Sequence, residues 1–96
     1  MAQVIIQPKS SENLRSLIRL AVENQLRVIN FGISKTKRKL REFEQETGMK
    51  SRDFYKEFQK GKLGNDLKFI RWAGEHETLA RLQKDYNELK GIELCS

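Results

Sequence analysis

The sequence predicts a mainly α-helical protein. A long helix, a short helix and a second long helix follow one another, and the two long ones fold into an antiparallel, coiled-coil-like hairpin with short β-strands near the N-terminus and at the tail. Three observations carry this reading. The sole proline is Pro8, so the chain beyond it lacks the residue that breaks helix interiors. Gly48, Gly61, Gly64 and Gly91 fall where helices are expected to stop. Apolar residues recur every seven positions in both long segments. With 96 residues the chain is read as one domain, 1–96, whose core is marginal unless another chain completes it.

The elements follow in order. Gln3-Val4-Ile5-Ile6-Gln7 is rich in β-branched residues and bounded by Pro8, which predicts a short strand over about 3–7. Ser10 or Ser11 caps a first helix over about 11–47, closed by a left-handed Gly48. Such a helix would be roughly 55 Å long. Ser51 caps a short helix over about 52–60, in which Phe54, Tyr55 and Phe58 share a face. Gly61 and Gly64 end it. Asn65 caps a third helix over about 66–90, with Gly91 as its stop. Ile92-Glu93-Leu94-Cys95 can form a second strand at 92–95, pairing with the first within one chain or between subunits.

Leu26, Ile33 and Leu40 recur every seven residues, as do Ile29, Thr36 and Phe43. Trp72, Leu79 and Tyr86 repeat the pattern in the third helix, joined by Leu82 and Leu89. This spacing marks helices that cross at a shallow angle with interdigitated side chains. A third helix of about 25 residues spans roughly 37 Å, so it covers the first only to about Val22. Leu14, Leu17, Ile18, Ala21 and Val22 are left over. A second copy of the chain, a different protein, or a kink near Asn30 and Gly32 must cover them, and a homodimer is the simplest solution.

Lys and Arg number 19 against 13 Asp and Glu, a formal net charge of +6 that gives a mild attraction to anions. Lys35, Lys37, Arg38, Lys39 and Arg41 fall within seven residues. They read either as contacts to the phosphates of DNA or RNA or as a solvated helix surface, since no aromatic residue among them could stack on bases. Cys95 has no cysteine partner, and the N-terminus lacks the apolar run of a signal peptide or membrane span, so the expected place is the cytoplasm, away from membranes.

Catalysis finds little support. His76 has Glu75 and Glu77 as immediate neighbours, which point away from it on a helix and form no metal-ligand pair. Cys95 has no histidine base in its sequence context. Gly61 and Gly64 are not followed by the Gly-Lys-Ser/Thr of a phosphate-binding loop. No cofactor or metal is expected.

Two resemblances bear on function. The order strand, helix, Gly32-Ile33-Ser34-Lys35-Thr36, helix resembles the ribbon-helix-helix repressors, which implies a DNA-binding dimer with Gln3, Ile5 and Gln7 facing bases. The stretch from Pro8 to Gly32 is longer than that family's compact first helix. The second resemblance lies further along the chain. Phe43-Glu44-Gln45-Glu46-Thr47-Gly48-Met49, Phe54, Phe58, Gly61 and the run from Leu63-Gly64-Asn65-Asp66-Leu67 through Trp72-Ala73-Gly74 together resemble small prokaryotic antitoxins of two-gene toxin-antitoxin modules. That resemblance covers roughly residues 43–77 and implies a non-catalytic protein that binds and masks a cognate toxin enzyme encoded by an adjacent gene. The chain departs from the pattern at Asn65, Lys68 and Arg71, where the pattern is more acidic. Phe54, Phe58, Phe69 and Trp72 are in the first place the core that joins the short helix to the hairpin, and a groove shaped by them is the candidate site for a partner.

Overall fold

The computed structural model describes residues 11–95, with side chains from 12 to 92. Among these residues the chain forms α1 (Ser11–Thr47), α2 (Ser51–Gln59) and α3 (Leu67–Cys95), and no strand. The long helices α1 and α3 pack as an antiparallel hairpin, and α2 lies across one end of it. The molecule measures 59 × 23 × 20 Å. A straight helix of 37 residues is about 55 Å long, so α1 alone sets the length of the rod. No helix of the described residues is long and apolar enough to cross a membrane.

A kink near Asn30 and Gly32, one of the three ways of covering the N-terminal apolar cluster, does not form. α1 is continuous through both, and among the described residues positive backbone φ is confined to Gly48, Gly61 and Gly64. Gly32 serves packing instead. A β-carbon built there would lie 3.3 Å from a Leu82 methyl carbon, so the missing side chain lets α3 approach closely.

Helix ends show how tertiary contacts choose among local signals. Gly48 has φ 77° and donates its N–H to the Glu44 carbonyl at 2.8 Å, closing α1 as the sequence predicts. The N-cap of α2 is Lys50, not Ser51, and no side chain of its own turn caps it. Glu44 reaches across from α1 and accepts the Ser51 N–H at 2.8 Å. A carboxylate at a helix N-terminus meets an unpaired donor and the positive end of the helix dipole. Gly61 (φ 74°) ends α2 with paired bonds, Gly61 N–H to the Phe58 carbonyl at 3.0 Å and Lys62 N–H to the Glu57 carbonyl at 3.3 Å. The cap of α3 is Asp66 and not Asn65, since Asp66 Oδ1 accepts the Lys68 N–H at 2.9 Å.

The C-terminal end differs most from expectation. α3 runs through Gly91 to Cys95, so helix replaces the predicted strand at 92–95. Gly91 adopts no left-handed turn, and a glycine inside a helix costs about 1 kcal/mol without ending it. The predicted strand over 3–7 and its pairing lie outside the described residues.

The inner seam of α1 carries the buried Leu26, Ile29, Thr36 and Leu40, with Leu79, Leu82, Tyr86 and Leu89 half-buried on α3. Register is fixed by Gly32 against Leu82, Lys39 Nζ 3.3 Å from Glu75, and Lys68 Nζ 2.8 Å from Glu46. Carried onward, it brings Cys95 level with Arg19. At 29 residues α3 is therefore long enough to accompany α1 past Val22, and Leu14, Leu17 and Ile18 run on beyond its end.

Candidate binding surfaces

The end of the rod that holds α2 is built on a stack of three rings, one from each helix. Phe54 of α2 lies on Trp72 of α3 with centroids 3.8 Å apart and planes at 4°. Phe43 of α1 covers the other side of Trp72 at 5.5 Å and 9°. Trp72 Nε1 donates to Ser51 Oγ at 2.9 Å, so the buried indole is satisfied. Ser51 thus faces both long helices, with its N–H on Glu44 and its hydroxyl on Trp72.

Phe54 and Trp72, candidates for partner contact by sequence, are fully buried and act as framework. Phe58 and Phe69 pack at the rim of the same cluster and are half-buried. Beside them, on the first turns of α3, Leu67 and Ile70 stay 58% and 48% exposed. Sequence reading did not single these two out. Their signal was present, because both sit a quarter-turn or more from the Trp72 side of a helix that is otherwise polar on that flank.

At the opposite end, the five residues predicted to be left over divide. Leu14, Ile18 and Val22 are half-buried, whereas Leu17 and Ala21 are exposed. Leu17 belongs to a longer stripe that the sequence reading missed. Leu17, Leu20, Val28 and Phe31 are between 51% and 70% exposed, on the side of α1 nearly opposite the seam with α3. These four form a second apolar series on the same helix, one that the stronger inner heptad masks in the sequence.

Lys35, Lys37, Arg38, Lys39 and Arg41 are exposed. They wind around α1 and do not form one face. At about 100° per residue, Lys35 and Arg38 continue the Phe31 side, while Lys37 and Arg41 point elsewhere. Lys39 is tied to Glu75.

His76 lies half-buried against Tyr55, with ring centroids 4.5 Å apart, and its Nδ1 is buried with no hydrogen-bond partner. The Tyr55 hydroxyl donates to Glu77 Oε2 at 2.6 Å. That bond, then partial burial and the negative charge of Glu77, raise the Tyr55 pKa above its usual value, against an opposing bond with Gln59. Among the described residues, no three of His, Cys, Asp and Glu gather as a metal site would require.

No family model, no curated protein and no solved structure matches this chain.

Proposed function

We propose that the protein is a non-catalytic binding protein of the antitoxin kind, which masks a cognate toxin enzyme and works as a homodimer in the cytoplasm. The observation that supports it most directly is the exposure of Leu67 and Ile70 inside the segment that resembles antitoxins. Residues 43–77, which carry that resemblance, converge on the end of the rod where Phe43, Phe54 and Trp72 stack. A rigid aromatic framework with apolar side chains on its outer surface suits capture of a protein partner.

Co-expression with the product of the adjacent gene tests the reading. The two proteins are expected to co-purify, and the variant Leu67→Asp/Ile70→Asp is expected to lose the partner while keeping its helix content. A partner retained in full by that variant would overturn the assignment of this surface, and failure of the wild type to co-purify would overturn the antitoxin reading.

A second reading, a basic dimeric nucleic-acid-binding protein, is favoured by the exposed Lys35, Lys37, Arg38 and Arg41. Its ribbon-helix-helix form is disfavoured, since α1 passes unbroken through the Gly32-Ile33-Ser34 stretch where that architecture needs a turn. Salt-sensitive retention of DNA or RNA in the same purification, in place of a protein, would favour this reading.

A further inference from the structure

We propose that the exposed stripe on α1 pairs with the same stripe of a second copy, antiparallel, about a two-fold axis passing at Asn24. The stripe is symmetric in spacing as well as apolar. Leu20 and Val28 lie four residues to either side of Asn24, and Leu17 and Phe31 lie seven. On a helix these offsets keep all five residues on one side. A two-fold axis at Asn24 therefore sets Leu17 against the partner's Phe31 and Leu20 against the partner's Val28. Each contact occurs twice, as an isologous interface requires. Asn24 meets its own copy, and an amide can both donate and accept there, the kind of polar pair that fixes register in helix dimers. In the single chain Arg27 holds the Asn24 side-chain oxygen.

Three further features favour a second copy over other occupants. The first is extent. Four large side chains more than half exposed present on the order of 500 Å² per chain, so self-pairing that buries them fully removes about 1,000 Å² in all, the lower bound of a biological interface. The second is charge. Eleven residues beyond Asn24 the stripe meets Lys35. A parallel pair sets Lys35 against Lys35, whereas the antiparallel pair sets it against the neutral Asn13. The third is reach. Val4 to Ile6 precede Ser11 by at most seven residues, roughly 25 Å fully extended, and Phe31 lies about 30 Å along the helix from Ser11, so that run cannot cover it.

The proposal rests on self-association and not on the identity of any toxin, so failed co-purification leaves it standing. It is tested by sedimentation of the full chain over a range of concentrations, beside the variant Val28→Gln/Phe31→Gln. Both positions are exposed, so the variant is expected to keep its helix content and melting temperature at low concentration while its self-association weakens about tenfold or more. Direction is tested in a Cys95→Ser background with Leu17→Cys and Phe31→Cys chains, oxidised separately and mixed. The antiparallel pair yields the mixed disulfide and little of either self-disulfide. A wild type that stays monomeric overturns both this pairing and the proposed dimer. Self-disulfides of the Leu17→Cys chain overturn the antiparallel pairing alone. A monomer that loses helicity in the glutamine variant assigns the stripe to cover within the chain and likewise overturns the pairing.

Discussion

The two ends of this rod solve the burial problem differently. At the α2 end, three helices each place one ring in a common stack, and Phe54 and Trp72 are sealed completely. At the other end two helices lie side by side with no third among the described residues, and Leu17, Leu20, Val28 and Phe31 face outward. A pair of helices has only one seam between them, so any second apolar series on either helix stays in water. A third helix packed across the pair adds the missing layer. The comparison teaches that α1 is sealed by packing at its aromatic end and keeps a second apolar series exposed at its two-helix end, where the proposed self-pairing lies.

The sharpest break of that contrast is Trp72→Ala. It removes the middle ring of the stack and leaves the Ser51 hydroxyl without its indole donor. Loss of a buried aromatic of this kind costs about 3–5 kcal/mol, a large part of what a domain of this size has. Urea denaturation is expected to show most of the molecule's stability gone, with α2 released. A loss below about 1 kcal/mol would mean that the stack is not what holds the three helices together.

Midway between the ends, Gly32 lies inside the continuous α1 with helical backbone, so a side chain there is limited by the packing of α3 and not by backbone strain. As a close-approach position it should accept a small one, because a Leu82 methyl can give by the few tenths of an ångström that a β-carbon 3.3 Å away demands. Gly32→Ala is expected to gain up to about 1 kcal/mol from helix propensity, and Gly32→Leu to lose about 1–3 kcal/mol from overpacking. A clear loss in the alanine variant, read by the same denaturation, would mean that Leu82 is held too tightly to give way.

How much of this was legible in the sequence follows from which signals are local. The inner seam was readable because Leu26, Ile29, Thr36 and Leu40 keep a strict helical spacing, and Gly48 and Gly61 were readable as stops because a left-handed turn needs only glycine. The caps of α2 and α3 were each displaced by one residue: Asp66 caps α3 by a local bond as open to the eye as that of Asn65, whereas the cap of α2 has a source that no local pattern contains. Glu44 arrives from another helix to cap α2, which leaves Ser51 for Trp72. Gly91 misled because glycine permits a stop without enforcing one. The buried places of Phe54 and Trp72 were one of two readings open for aromatic residues at that spacing. The outer stripe was in plain view but hidden by the inner one, since a helix with two apolar series yields its strongest periodicity to the series that packs.

The smallest effect concerns the surface of the aromatic end, where Tyr55 of α2 is tethered to α3 through Glu77. The bond requires the phenol proton, and partial burial together with the carboxylate's charge also opposes phenolate, so the folded pKa lies above the usual value of 10.0. The sign follows directly. A group whose pKa rises on folding contributes stability that is fully present below its unfolded pKa and is lost as the pH climbs through the folded one. In a Tyr86→Phe background Tyr55 is the one remaining phenol, and its absorbance is expected to titrate above that of the unfolded chain. Glu77→Gln removes both the charge and the charged acceptor and is expected to return the titration toward 10.0, with no change in denaturation midpoint at neutral pH beyond what one exposed bond carries. A Tyr55 titration that ignores Glu77→Gln would show that this bond does not tether α2, and would leave the attachment of α2 to the aromatic cluster around Phe54 and Trp72 and to the contacts of Ser51.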